Sequence, residues 1–370
     1  MLGHKRIPSR EGGIEVVVDR LATGMARLGH RVTCYNRGGH HVSGAEFDKD
    51  LYDGPDRYKG VILKKAWTID AKGLAAVSSS VFASIAAAFG PYDVVHVHAE
   101  GPCLMCGFIK FMGKRVIVTV HGLDHRREKW GRFASWYIMQ GERAAVKHAD
   151  EIIVLSKAVQ DYFMELYGRR TVFIPNGVDA VKPLDADIIT DKWGLKKDEY
   201  ILFLGRIVPE KGAHYLIEAY RGLGTDKKLV IAGGASDSDE YYDKLKGAAG
   251  EDKNIIFTGF VQGEALEELY SNAYIYCLPS DLEGMPLSLL EAMSYGNACL
   301  TSDIPECADV IADKGETFKK GDVSDLRAKL VILIDDPSAV DALKAQAATY
   351  ITGKYSWDDS IRKTLELYRE

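Results

Sequence analysis

Asp281-Leu-Glu283-Gly284-Met285-Pro286-Leu287-Ser288-Leu-Leu-Glu291-Ala-Met-Ser-Tyr-Gly296 sets two carboxylates eight positions apart, around a Gly-Met-Pro turn that opens an apolar helix. A turn feeding a helix N-terminus presents unpaired backbone N–H groups and the positive end of the dipole, which suits a phosphate. Pro286 fits a first-turn position, where its missing N–H costs nothing. Glu283 precedes the turn, and Glu291 falls in the second turn of the helix. A diphosphate seated between them leaves one carboxylate for the hydroxyls of a sugar and the other for a ribose. Acidic residues near a helix start are also ordinary solvated partners of its dipole, and the pair alone does not separate these readings.

A second constellation changes the balance. Leu204-Gly205-Arg206-Ile-Val-Pro209-Glu210-Lys211-Gly212 follows the apolar run Tyr200–Leu204 and precedes the helical pattern Tyr215, Leu216, Ile217, Ala219, Tyr220. This is strand, glycine-containing loop and helix, with two cations in the loop. Arg206 and Lys211 there can clamp a diphosphate and neutralise a departing one. Two surface cations in a loop are the commoner meaning of such a pair. Taken together, the Arg206/Lys211 spacing, the Glu-x7-Glu pair and the Glu-Gly-Met-Pro turn resemble the retaining glycosyltransferases of family GT4. Pro175-Asn176-Gly177-Val178-Asp179 also matches that family's interdomain signature. Four motifs in the right order make the resemblance cover nearly the whole chain.

The resemblance implies the GT-B fold: two doubly wound, Rossmann-like α/β domains facing across a cleft. It implies sugar transfer from a nucleoside diphosphate sugar to a hydroxyl of a glycan or lipid-linked acceptor, with retention by same-face attack. The departing phosphate takes the acceptor proton. Arg206, Lys211 and the turn of Gly284, Met285, Pro286 and Leu287 would hold the diphosphate beside Gly205. Glu291 would hold the ribose, and Glu283 with His121 the donor sugar. No cofactor and no divalent metal are expected, because cations and a helix dipole can stabilise the leaving group.

The stretch Lys5-Arg-Ile-Pro-Ser-Arg10-Glu-Gly12-Gly13-Ile-Glu15 leads into a helix. Two glycines permit close backbone approach, and the helix start favours an anion. A simple turn is the bland reading. The Gly-x-Gly-x-x-Gly pattern of dinucleotide binding is absent, which disfavours NAD. In the resembled family the glycine pair borders donor phosphates and acceptor. The form here is similar to bacterial members that build capsule or cell-wall polysaccharide, rhamnosyltransferase-like ones among them, so a hexosyl or deoxyhexosyl group is expected.

His121 ends the strand Val116–Val120. A lone histidine there is usually structural, but the carboxyl end of a parallel strand is where ligands bind in such folds. His96-x-His98 lies on one strand face without a third metal ligand at suitable spacing, and reads as cleft lining. Arg126-Arg127-Glu-Lys129-Trp130-Gly-Arg132-Phe133-Ala-Ser-Trp136-Tyr137 mixes cations with aromatics. It suits a sugar acceptor or peripheral contact with an anionic membrane surface, and equally an exposed helix start. Asp48-x-Asp50, Asp185-x-Asp187 and Asp237-x-Asp239 resemble a metal motif of a different glycosyltransferase fold, and three copies in polar loops point to chance.

These residues need a frame to hold them. A chain of 370 residues is too long for one compact core and suggests two domains. The expected division is 1–180, 181–352 and a last helix, 353–370, that the resemblance sends back to the first domain. A net charge of −6 argues against a nucleic-acid partner. No stretch is apolar enough to span a bilayer, and Val77–Phe89 reads as a packed helix. The amino terminus lacks the apolar core of a signal peptide. Six scattered cysteines suggest a reducing cytoplasm, with its membrane surface as the second setting, and Cys103-x-x-Cys106 reads as buried thiols.

Strands and helices alternate, which predicts parallel sheets with crossover helices. Expected elements include a helix over Glu15–Leu28, strands at Arg31–Tyr35, Val94–His98, Arg115–Val120 and Glu151–Leu155, and a helix over Trp136–Lys147. The second half should carry strands at Tyr200–Leu204, Lys228–Ala232, Asn254–Thr258, Ile275–Leu278 and Ala298–Thr301. A buried parallel strand should precede Gly3, yet only Met1 and Leu2 do. The expectation is an apolar strand upstream of Met1, without which neighbouring strands lose partners. Two other functions fit a scaffold of this type: a nucleotide-sugar 2-epimerase, whose acid–base set is not evident, and a non-catalytic nucleotide-sugar-binding protein.

Overall fold

A computed structural model describes residues 1–39, 52–54, 56–71, 73–126, 131–234 and 239–369. The chain forms two compact units, one of Met1–Asn176 with Trp357–Glu370 and one of Gly177–Ser356.

The first unit contains strands β1 (Thr33–Arg37), β2 (Arg57–Tyr58), β3 (Val61–Ala66), β4 (Val94–His98), β5 (Arg115–Val120), β6 (Glu151–Val154) and β7 (Val172–Phe173). Its helices are α1 (Gly13–Arg27), α2 (Leu74–Phe89), α3 (Cys106–Phe111), α4 (Arg132–His148) and α5 (Lys157–Tyr167). In the second unit lie helices α6 (Ile188–Trp193), α7 (Ala213–Tyr220), α8 (Asp239–Ala249), α9 (Glu264–Asn272), α10 (Leu287–Ser294), α11 (Pro305–Ile311), α12 (Val323–Asp335) and α13 (Pro337–Lys354). Its strands are β8 (Tyr200–Leu204), β9 (Lys228–Ala232), β10 (Ile255–Gly259), β11 (Ile275–Leu278), β12 (Ala298–Ser302) and β13 (Glu316–Phe318). The last helix, α14 (Trp357–Arg369), belongs to the first unit.

The second unit's sheet runs β10-β9-β8-β11-β12-β13, all parallel. The four central strands, β9, β8, β11 and β12, are buried on both faces, so they read as apolar runs rather than alternating ones. Ile201, Phe203, Leu229, Ile231, Ile275, Cys277 and Leu300 form the centre of one core. Each such side chain contributes about 1.5–3 kcal/mol on burial. Strand order reverses direction between β8 and β11.

In the first unit β4-β5-β6-β7 form one parallel sheet and β1-β3-β2 another. β2 pairs β3 antiparallel, a hairpin that departs from the all-parallel expectation. Met1 and Leu2 lie between the two sheets. The Tyr35 N–H donates to the Met1 carbonyl at 3.0 Å, the Leu2 N–H to His96 at 3.1 Å, and the His98 N–H to Leu2 at 2.9 Å. Leu2 is fully buried. The strand expected at Arg31–Tyr35 sits two residues later, at Thr33–Arg37, in register with Ile62–Ala66.

Helix α1 buries Val17, Val18, Leu21, Ala22 and Met25. This apolar stripe recurs every three to four residues and faces the core. A Cβ on Gly24 would stand 2.2 Å from the Ile361 side chain, so glycine lets α14 approach. All six cysteines are free and buried. Among the described residues no helix is long and apolar enough to cross a membrane.

Candidate active site

The reversal of strand order between β8 and β11 leaves a crevice at the carboxyl ends of those strands, the place where ligands bind in open α/β sheets. The loop after β8 carries Gly205, Arg206, Lys211 and Gly212, and the loop after β11 carries Ser280, Asp281, Glu283 and Gly284. The two loops meet backbone to backbone. The Asp281 N–H donates to the Glu210 carbonyl at 2.8 Å. Gly212 has φ +69, and a Cβ there would lie 2.0 Å from the Pro279 carbonyl oxygen, so only glycine permits this approach.

That approach joins two of the expected residues. Lys211 Nζ donates to Glu283 Oε1 at 2.5 Å, and Ser280 Oγ donates to the same oxygen at 2.7 Å. Both members of the ion pair are largely buried, with side-chain exposures of 13% and 7%. Buried pairing of this kind is favourable only when further hydrogen bonds support it, as Ser280 does. Arg206, in the same loop, is only partly buried.

Helix α10 starts directly after the turn. Pro286 is its N-cap, with φ −73 and ψ 105, rather than a residue of the first turn, and no side chain caps the helix. Gly284, Met285 and Pro286 are buried, and Leu287 is partly exposed. Glu291 lies in the second turn, as expected, and its Oε2 accepts a hydrogen bond from the Tyr270 hydroxyl at 3.2 Å. Tyr270 stacks on Tyr295, with centroids 5.4 Å apart and planes 10° apart. Ser280 and Tyr270 were missed in the sequence. Ser280, three residues before Glu283, could have been found from that spacing. Tyr270 lies on a different helix and gave no signal.

In the first unit Gly12 is the N-cap of α1 and Gly13 its first residue. The helix start is already matched to a carboxylate of its own. Glu15 is buried and Oε1 accepts the Lys5 N–H at 2.8 Å. A Cβ on Gly12 would come within 2.3 Å of Glu15 Oε2. The glycine therefore makes room for Glu15, a local reason for its presence that the sequence did not suggest.

His121 follows β5 and is hydrogen-bonded through Nε2 to Nδ1 of His98 at 3.0 Å. Burial pushes the His98 imidazole well below its usual range, so it is neutral. His96 and His98 do not line a cleft. Both are buried, with rings stacked at 4.2 Å, and His96 is tied to Tyr368 and Thr119 at 2.7 Å each. Successive outward positions of a strand share a face, and here Tyr368 of α14 covers that face at His96 while His121 meets it at His98.

Of the cationic aromatic patch, Arg127, Glu128, Lys129 and Trp130 lie outside the described residues. Phe133 and Trp136 are exposed on α4, at 78% and 55%. Asp48, Asp50 and Asp237 are likewise outside the described residues, while Asp185 and Asp187 are exposed before α6. Among the described residues of the second unit, no three His, Cys, Asp or Glu side chains stand close enough to share an ion.

Comparison with known proteins agrees with this architecture. The family described as Glycosyltransferase Family 4 matches residues 11–182, and that described as Glycosyl transferases group 1 matches residues 185–350. Alpha-D-kanosaminyltransferase of Streptomyces kanamyceticus is 26% identical over 309 residues, 75% of this chain and 77% of the relative. Anabaena Alr3699/HepE, solved in complex with UDP and glucose, superposes with a TM-score of 0.79 at 16% identity, covering 96% of each chain. WaaG, a glycosyltransferase involved in lipopolysaccharide biosynthesis, superposes with a TM-score of 0.76 at 19% identity, covering 97% of each. The switch-point loops, the two-unit architecture and both family matches lead to one assignment: the chain belongs to the GT4-like glycosyltransferases and has their GT-B fold.

Proposed function

We propose that the protein is a retaining transferase that moves a hexosyl or deoxyhexosyl group from a nucleoside diphosphate sugar to a hydroxyl of a glycan or lipid-linked acceptor, in cell-surface polysaccharide synthesis. The observation that carries this reading is the buried Lys211–Glu283 pair, set between the switch-point loops at the uncapped start of α10. One partner is a cation suited to a diphosphate, and the other a carboxylate suited to sugar hydroxyls. Two relatives lend support through what they do: HepE holds UDP and glucose, and WaaG serves lipopolysaccharide biosynthesis.

In this reading Arg206 and Lys211 meet the diphosphate, together with backbone N–H groups of Gly284, Met285 and Leu287, and with Gly205 and the Gly12-Gly13 turn beside it. Glu291 accepts from the ribose hydroxyls, held in place by Tyr270. Glu283 and His121 hold the donor sugar. The bond from the anomeric carbon to the phosphate oxygen breaks as negative charge grows on the diphosphate. Stabilising that charge selectively lowers the barrier. The acceptor hydroxyl attacks on the same face, forms the new glycosidic bond and gives its proton to the departing phosphate. No divalent ion is required. The acceptor side is the first unit, where Phe133 and Trp136 offer aromatic faces for a sugar or for the inner membrane surface, and the protein works in the cytoplasm.

A panel of nucleoside diphosphate sugars, read first by thermal shift and then by transfer to glycan acceptors, tests this. A true donor raises the melting temperature by mass action, and the anomeric configuration of the product should equal that of the donor. An inverted product, or no transfer from any donor that stabilises the fold, would remove the proposal.

A further inference from the structure

Glu100, His125 and Glu142 are far apart in sequence but converge within the first unit. Glu100 lies just past β4, His125 in the loop after β5, and Glu142 in α4. The two carboxylates are almost wholly enclosed, at 1% and 0% side-chain exposure, against 14% for the imidazole. His125 Nδ1 stands 3.9 Å from Glu100 Oε1 and 3.5 Å from Glu142 Oε2. These three atoms, which face one another, make no hydrogen bond of ordinary length. Every other carboxylate oxygen of the group is engaged. Glu100 Oε2 accepts the Asp124 N–H at 2.9 Å, and Glu142 Oε1 accepts the hydroxyls of Tyr162, at 2.9 Å, and Tyr167.

Burial, with Glu142 and Asp124 beside it, pushes the Glu100 carboxyl well above its usual range, so the negative charge that faces His125 is chiefly that of Glu142, and a buried carboxylate without a cation would be costly. The neighbours of the pair therefore matter. Asp124 adds negative charge beside Glu100, and the Tyr162 ring lies 6.1 Å from that of His125. A positive charge on His125 is what this surrounding favours. The facing carboxyl groups of Glu100 and Glu142 push its imidazole up to about 9, while His125 and Glu100, with the hydroxyls of the tyrosines, bring Glu142 down to about 2 against the effect of its burial.

The loop gripped in this way begins at His121. The segment from 98 to 100, at the end of β4, holds it at both ends: His98 meets His121, and Glu100 meets Asp124 and His125. Between them Leu123 is buried. We infer that His125 is a positioning residue: tethered between Glu100 and Glu142, it fixes the loop after β5 and with it the imidazole of His121. This rests on the proposed role of His121 at the donor sugar, and it adds a device that sets the ring's place and ties it to α4 and α5.

The test uses the full chain with its ten histidines isotope-labelled. Ring signals of His125, assigned by its loss in His125→Ala, should remain those of an imidazolium at pH 7.5, and Glu142→Gln should bring its titration back toward the ordinary histidine range. In His125→Ala the His121 signals should shift, and kcat should fall about tenfold with the donor KM changed less than twofold. His125→Asn, which restores a donor near Nδ1, should recover most of kcat. The ring titration is independent of turnover, so it stands even if the assignment of His121 to the donor sugar fails. A His125 that titrates in its ordinary range would overturn the inference. So would unchanged His121 signals in folded His125→Ala, or one equivalent of zinc on the purified protein, lost on His125→Ala, since an ion rather than a proton would then join the carboxylates. If His125→Ala does not fold, the same readings are taken on His125→Asn and Glu142→Gln.

Discussion

Both units are built on parallel strands, yet they treat the polar residues near the carboxyl ends of those strands in opposite ways. In the second unit the charged groups stand on loops beyond the strand ends, and Lys211 and Glu283 meet only because Gly212 lets those loops touch. In the first unit the polar groups are sunk into the sheet itself. His96 and His98 sit within β4, buried and neutral, and His121 is linked to them at the end of β5. A partly exposed loop-borne charge such as Arg206 can turn toward a ligand at little cost. Groups packed into strands cannot, and serve by being fixed. On the proposed reading the second unit carries the groups that would meet a leaving diphosphate, and the first would supply rigid placement.

Removing a responsive charge should have the largest effect. Arg206→Ala or Lys211→Ala should lower turnover about 10²-fold or more while the fold persists, as loss of preorganised charge stabilisation generally does. Steady-state rates at saturating donor, with circular dichroism on the same samples, measure this. Near-normal turnover in both variants would erase the distinction between the units. Lys211→Ala should also lower the melting temperature more than Arg206→Ala, because it leaves Glu283 buried without its cation.

The glutamates divide binding from transfer. Glu283→Gln should depress transfer by about tenfold or more while the nucleotide product still binds. Glu291→Gln should weaken product binding by about tenfold, the usual worth of a charged hydrogen bond. Tyr270→Phe, which removes the hydroxyl bonded to Glu291, should weaken it about twofold to threefold. Equal affinity in calorimetry for wild type and Glu291→Gln would dismiss the ribose role.

Much of the second unit was legible in the sequence because its central strands are buried on both faces. Tyr200–Leu204, Lys228–Ala232 and Ile275–Leu278 are continuous apolar runs, and each appears at the predicted bounds. The glycine-rich loop and the Glu-x7-Glu turn lie directly after two of them, so their placement followed. The first unit was less legible. Its β2–β3 hairpin is short, and β7 has two residues, too few for a periodicity to register. His96 and His98 were placed on one face correctly, but sequence pattern does not say that a helix beginning at Trp357 covers that face at His96. The cluster of Glu100, His125 and Glu142 gathers residues from three elements, each unremarkable in its own segment.

The fixed character of the first unit has a pH signature of moderate size. A folded-state value of about 9 for His125 lies above its ordinary 6.5. Between these values the folded state binds more protons than the unfolded chain, so this contribution is full below the unfolded value and is lost as pH rises through about 9. The melting temperature should fall by a few degrees from pH 6.5 to 9.5. His125→Asn should flatten that slope. A wild-type profile as flat as that of the variant would remove the charge from the clamp.

The smallest expected effect is the response to metal removal, which should be nil. The second unit brings Lys211 and Arg206 to one loop and the uncapped start of α10 beside it, and on the proposed reading these would supply the positive charge that a divalent ion supplies elsewhere. Asp185 and Asp187 offer no alternative there. They are exposed ahead of α6, and the Asp187 N–H is spent on Glu268 at 3.1 Å, which ties this segment to α9 rather than opening it toward an ion. Transfer measured in EDTA should therefore equal transfer in magnesium or manganese. Complete loss in EDTA, restored by manganese and abolished again by Asp185→Asn with Asp187→Asn, would transfer the work of stabilising the diphosphate from the switch-point cations to a carboxylate-bound ion.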